Sequence, residues 1–430
     1  MELTSNKSTY RQFLFFWSGQ MVSLFGSSVA YFVLIWWLTI VSGNPMILAV
    51  ASFFTILLST IIMPIAGVWA DRFNRKTLII IADLSQALVT LVGTILFQFN
   101  LMVVVTVLIF MTIRSLFQAF HAPIVGAITP SMVPLDKLLR INSLSFLFLG
   151  VIQIFAQLVA SIFWLLFPIH IILWVDIITF AISLIPLIII KIPSVKKKST
   201  NTKGEKPKKS FLKEFIVGLK TLKAIPGLLI IVIMSMIVAF LMAPLKVLMS
   251  LYVYDVHGGD AGHFALVLGF FQGGIVLGAI IASIKKKWEH KVRALFILMA
   301  LAMVGLAIFA IAPKGLYLVI SIGAILTGVT LPITSSLTSV FYQTTVPLDK
   351  MGRVSSISGT ISASILPIGT LLSGPLALAL GIPLLFFYSS ELSIIVIASI
   401  WILTNIRKVD FDDIEENKKI INEKLNNIEA

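Results

Sequence analysis

The chain has 430 residues, 58% hydrophobic and 12% charged, with a mean hydropathy of +1.03; soluble domains carry about 25% charged residues. That balance excludes a soluble enzyme, a disordered chain and an ordinary nucleic-acid binder, and leaves an all-α polytopic membrane protein. The net charge of +14 is therefore read loop by loop, because Lys and Arg concentrate on the cytosolic side of a membrane.

A crossing helix needs about 20 apolar residues. Blocks of that size fall at 13–41, 46–70, 77–97, 101–120, 143–166 and 169–191, and again at 226–254, 262–284, 292–312, 315–341, 354–379 and 384–406. The apolar run after Arg11 reaches Val41, too long for the apolar region of a cleavable signal peptide, so it is expected to stay as the first span. Short turn sequences such as Ser42-Gly43-Asn44-Pro45 and Gly381-Ile382-Pro383 separate antiparallel neighbours. With the N-terminus placed in the cytosol, the inner segments hold 30 of the 33 Lys+Arg. The outer turns hold Lys314, and the spans hold Arg114 and Lys246. Both termini are thus expected to be cytosolic and the location a cell membrane.

The expected organisation is a six-helix half over 1–191, a basic linker over 192–224, a second six-helix half over 225–406 and a charged tail over 407–430. The linker ends in a stretch with helical periodicity, Phe211 to Leu219, that reads as an interfacial helix; the plainer reading is a solvated hinge. Self-similarity supports the division. Val133-Pro134-Leu135-Asp136-Lys137 recurs as Val346-Pro347-Leu348-Asp349-Lys350, 213 residues later. A similar shift lays the loop from Gly67 to Lys76 over that from Gly278 to Lys287, and Asp176 near Glu391. Parallel six-helix repeats of this kind build one class of secondary transporter.

The loop Gly67-Val-Trp-Ala-Asp71-Arg72-Phe-Asn74-Arg75-Lys76 resembles the signature loop of the major facilitator superfamily. Asn74 stands where the family has Gly, and Asn is expected to keep the tight turn by accepting a left-handed backbone. The resemblance makes Asp71 and Arg72 gate residues, with Gly67, Arg75 and the repeated Asp136 and Asp349 in the same inner latch; the plainer reading is that Arg72, Arg75 and Lys76 anchor topology. A second set of residues, Trp17-Ser-Gly19-Gln20, Gly26-Ser27-Ser28, Trp36-Trp37-Leu38, His121-Ala-Pro123 and Ile128-Thr129-Pro130, is similar to the macrolide-efflux and enterobactin-exporter branch. It implies export of an amphipathic small molecule, drug, macrolide or siderophore in type, against proton entry. The fifth span lacks the Gly-Pro motif that antiporters of the superfamily often carry.

Ionisable residues within spans are the candidates for chemistry. Arg114 lies on one helical face with Gln118 and His121, and the resemblance assigns an Arg at this place to proton coupling; the plainer reading is a structural Arg satisfied by carbonyls or a neighbouring Asp. Asp83, Asp176 and Glu391 are candidate proton sites. Asp83 has a competing role as partner of the basic loop one to two turns away. Lys246 follows Ala243-Pro244, an expected break, and either faces the cavity or extends its stem to the outer surface. Gln20, Gln153, Gln157 and Gln272, with Tyr31, are candidate cavity residues. His257 and His263 with Asp255 and Asp260 read as a polar turn rather than a metal site. No P-loop, nucleophile elbow or HExxH is present, so neither an enzyme nor an ATP-driven pump is expected. The expected function is alternating-access export by a monomer in the lipid bilayer, with a small-molecule substrate and protons as partners, no nucleic acid, no metal and no cofactor beyond the proton gradient. A lipid or lysolipid flippase, a proton-independent facilitator, and a non-transporting sensor or scaffold are the alternatives.

Overall fold

In the computed structural model the described residues are 7–190, 192, 219–220, 222, 225, 227–285, 288, 290–346 and 348–408. Those residues are helical or in turns, with no strand among them, and include twelve helices long and apolar enough to cross a membrane. Of the expected linker helix at 211–219, residues 211–218 lie outside the described residues, as does most of the charged tail.

The first six helices are α1 (Lys7–Ser42), α2 (Pro45–Arg72), α3 (Arg75–Gln98), α4 (Val104–Met132), α5 (Leu135–Leu166) and α6 (Ile169–Ile189). The seventh span is broken into α7 (Leu228–Leu241), α8 (Ala243–Leu251) and one π-helical turn at Tyr252–Val256. The break at Met242 falls just before Ala243-Pro244, as the sequence leads one to expect. The remaining spans are α9 (Ala261–Ile284), α10 (Lys291–Ala310), α11 (Tyr317–Thr345), α12 (Leu348–Leu380) and α13 (Ile382–Leu403).

Local chemistry sets the ends. Asn44 caps α2, its side chain accepting the Met46 N–H at 2.8 Å, and Pro45 opens the helix where its missing N–H costs nothing. Asn74 caps α3 by accepting from the Lys76 and Thr77 N–H groups. Its backbone is extended, with φ −66° and ψ 114°, which corrects the left-handed turn expected from its place in the loop. Asn is retained there as a capping acceptor, not as a substitute for glycine's freedom. Inside the spans, Ser and Thr hydroxyls return to carbonyls three or four residues back, as Thr112 does to Leu108 and Thr360 to Ser356, because no water is there to satisfy them.

The chain divides into two compact units. The first contains residues 1–197, 247–272 and 370–379. Within it α1 packs along α6, α5 and α4, α2 along α4, and α3 along α4 and α6. Small residues allow the closest approach: a Cβ on Gly19 would meet Pro186 at 2.9 Å, and one on Gly26 would meet Thr179 Oγ1 at 1.9 Å. An apolar core of Phe13, Phe16, Ile79, Ile124, Ile128 and Leu187 closes the end that carries residue 7. Near the far end of α1, Trp36 stacks on Phe264 and meets Tyr254 edge-on, while Thr39 donates to Ser250 at 2.7 Å.

The second unit contains 198–246, 273–369 and 380–430. There α10 packs on α11 and α13, and α7 packs on α13. Gly278 lies against the Val329 carbonyl and Gly305 against Thr327. In both units long apolar side chains such as Leu88, Val92, Val105, Leu318 and Ile395 stand exposed, the surface that hydrocarbon covers.

Candidate functional site

The polar centre of the first unit is built from α1, α3, α4 and α6. Arg114 of α4 and Asp176 of α6 form an ion pair at 2.6 Å, with side chains 9% and 4% exposed. Both carboxylate oxygens are occupied: Ser27 Oγ donates to Oδ1 at 2.8 Å, and Oδ2 takes Arg114 and the Thr90 hydroxyl, also at 2.8 Å. Gln86 donates to Ser27 at 2.9 Å, and Arg114 also contacts Thr90 Oγ1. A buried ion pair is tolerable only when its remaining hydrogen-bonding capacity is met in this way. The guanidinium carbon lies 5.9 Å from the Phe110 ring centroid.

A second group lies nearer the end carrying residue 7. His121 Nε2 is in hydrogen-bond contact with Gln20 Oε1. Asp83 faces Gln20 and His121, with Asp176 further off, and is 8% exposed, its Oδ2 without a hydrogen-bond partner. Asp83, His121 and Asp176 border a cavity of about 20 Å³ open to water centres, room for a single water. A larger cavity of about 270 Å³ adjoins it, sharing Leu24, Ser27, Gln86 and Gln118. Its walls are mostly apolar and include Tyr31, Leu34, Met111, Arg114 and Gln153.

The structure thus brings together Gln20, Tyr31, Asp83, Arg114, Gln118, His121, Gln153 and Asp176. Gln157 is buried on α5 with its Oε1 unpartnered. Gln272 is half-buried on α9 in the same unit, whereas Lys246, exposed on α8, and Glu391, half-buried on α13, belong to the second unit. Reasoning from sequence missed Ser27, Gln86 and Thr90. A usable signal was present, since Asp83, Gln86 and Thr90 are spaced to share one face of α3.

The loop residues are placed differently from what charge alone suggests. Arg75 donates to the Ala70 and Ala127 carbonyls at 3.1 and 2.7 Å, and Lys76 to those of Ile188 and Ile190 at 2.6 and 2.8 Å. The loop therefore ties α3 to the ends of α2, α4 and α6, and Lys76 is directed away from Asp83 into the carboxyl end of α6. Gly67 has open space about its Cα, and Arg72 and Asp136 are exposed. The side chains of Asp71 and Asp349 lie outside the described residues.

Outside the spans, Asp260 caps α9. It accepts the His263 N–H at 3.0 Å and faces the ring Nδ1 at 2.7 Å. The backbone bond first, and the imidazole with it, hold its carboxyl below the usual carboxylate range.

The sequence profile of the Major Facilitator Superfamily matches residues 16–370. The chain belongs to this superfamily. It is similar to macrolide efflux protein A of Streptococcus pyogenes, 26% identical over 399 residues, 93% of this chain and 97% of that protein. It is also similar to macrolide efflux protein A of Enterococcus faecalis, 25% identical over 327 residues, 76% of this chain and 99% of that one. Among solved structures, a bacterial homologue of the human lysosomal transporter Spinster matches with a TM-score of 0.66 at 15% identity, covering 97% of this chain and 98% of that one. The protein is a multi-pass membrane transporter of the superfamily and not an enzyme.

Proposed function

We propose that this transporter exports an amphipathic small molecule from the cytosol in exchange for protons, by alternating access, as a monomer in the plasma membrane with both termini cytosolic. The observation that carries the reading is Arg114, ion-paired with buried Asp176, at the wall of a mostly apolar cavity of about 270 Å³. An apolar cavity with a few converging polar groups suits a cargo with a large hydrophobic body. An ionisable pair within a span is costly, and such residues are the default candidates for function. The macrolide efflux relatives support export over uptake, and the distribution of basic residues supports the orientation. Energy comes from the proton gradient, with no bound cofactor. Arg114 is the coupling residue, paired with Asp176 where it reaches the cavity wall.

Reconstitution into vesicles containing a pH dye tests this, with macrolides, cationic drugs, siderophores and lysolipids supplied as cargo. Cargo-dependent proton movement that Arg114→Ala abolishes is the expected result. Cargo flux indifferent to the proton gradient refutes the coupling and leaves a facilitator or flippase. No flux with any cargo class refutes export.

A further inference from the structure

The charges around the two cavities do not balance. From α4 come Arg114 and His121, from α6 Asp176, from α3 Asp83, and from α1 the neutral amide of Gln20. Lys76, the nearest cation on Asp83's own helix, is held by two carbonyls of the α6 end. Arg114 neutralises Asp176, whose two oxygens are already fully bonded. Asp83 remains, buried, with one carboxylate oxygen that nothing bonds. His121 presents Nε2 to the Gln20 oxygen and leaves Asp83 Oδ2 without a hydrogen bond. Uncompensated charge in such a place is costly, and the common resolution is to take up a proton.

We propose that Asp83 is the proton-holding residue of this transporter, carrying its proton on the unpartnered oxygen, with Gln20 and His121 as its positioning residues. The single-water cavity between Asp83 and Asp176 is the route by which that proton meets the larger cavity. A water there has hydrogen-bonding groups of Ser27, Gln86, Gln118 and His121 around it, enough for the two to four partners an internal water requires. The coupling role rests on the export reading above; the protonation itself does not.

Infrared difference spectroscopy between acidic and alkaline pH, on the purified protein in lipid nanodiscs, reads the protonated carboxyl directly and needs no cargo. The expected result is a buried carboxylic-acid carbonyl band that disappears in Asp83→Asn and returns, shifted, in Asp83→Glu. A band that survives Asp83→Asn, or no such band in the unaltered protein, overturns the assignment. In vesicles, Asp83→Asn is expected to keep downhill cargo movement and lose the accompanying proton flux. Proton flux retained in Asp83→Asn overturns its coupling role while export stands. Loss of the infrared band in Asp83→Asn without proton-coupled flux in the unaltered protein removes the proton-exchange reading and leaves Asp83 as a proton site.

Discussion

The Arg114–Asp176 pair makes a quantitative claim that a double-mutant cycle tests. Arg114→Met keeps the length of the stem against Phe110 and deletes the charge, and Asp176→Asn keeps the shape of the carboxylate. With both side chains under a tenth exposed, removing one partner leaves the other buried without a countercharge, which costs about 3–5 kcal/mol. The two single variants are not equivalent. A carboxylate left by Arg114→Met retains two hydroxyl donors and can take up a proton, whereas the guanidinium left by Asp176→Asn cannot lose one. Arg114→Met therefore falls at the lower end of that range and Asp176→Asn at the upper. The double variant removes both charges and is expected to lie well below the sum of the singles, with a coupling of about 1–3 kcal/mol. Unfolding of the purified protein by titration with SDS in mixed micelles gives the four free energies. Single variants costing less than about 1 kcal/mol, the level of an exposed pair, or a strictly additive double variant, would refute the buried-pair account.

Three further outcomes follow from other parts of the molecule. Gly26→Ala places a methyl 1.9 Å from Thr179 Oγ1 and 3.0 Å from the Asp176 Cα, and is expected to cost about 1–3 kcal/mol by overpacking. Adding Thr179→Ala should recover part of that loss in the same SDS titration, and equal loss in both variants would count against the close approach of α1 and α6. Asp260→Ala removes the cap of α9. Because folding lowers the Asp260 carboxyl's affinity for protons, its stabilisation is complete above the unfolded carboxylate pKa of about 4 and disappears as pH falls through the lower folded value. The thermal midpoints of Asp260→Ala and the unaltered protein should therefore differ by a constant amount near neutrality and converge in acid; a difference that grows in acid contradicts the sign. Finally, the chain lacks cysteine, so Lys314→Cys and Arg407→Cys, both at exposed positions, report topology. An impermeant maleimide added to intact cells should label the former and spare the latter, and the reverse pattern would invert the proposed orientation.

Spans and breaks were legible because apolar length and turn residues act locally: the Met242 break lies beside the expected Ala243-Pro244, and α1 and α2 part at the expected Ser42–Pro45 turn. The conformation of Asn74 was not, since a side chain that caps a helix and one that accepts a left-handed backbone are the same residue read in isolation. The partner of Arg114 was also hidden, because helical period reports a face and not what that face meets. It is set by how closely α1 and α6 approach at Gly19 and Gly26, a tertiary fact.

Depth along the helices sorts these residues into two layers. At 1.5 Å per residue, Arg114, Thr90 and Asp176 lie about 15, 12 and 11 Å along their helices from the shared end where α3 stops and α4 and α6 begin. Asp83 and His121 lie about 22 and 25 Å from it. The two layers arise from one spacing used twice: Asp83 and Thr90 are seven residues apart on α3, and Arg114 and His121 seven apart on α4. On antiparallel neighbours, equal seven-residue steps bring Asp83 level with His121 and Thr90 level with Arg114. That register separates a layer whose charges are paired from one with a carboxylate to spare, and α6 completes only the first. Of the two buried acids among the described residues of this unit, Asp176 on α6 is thus the one paired with Arg114, and Asp83 the one proposed to exchange its proton.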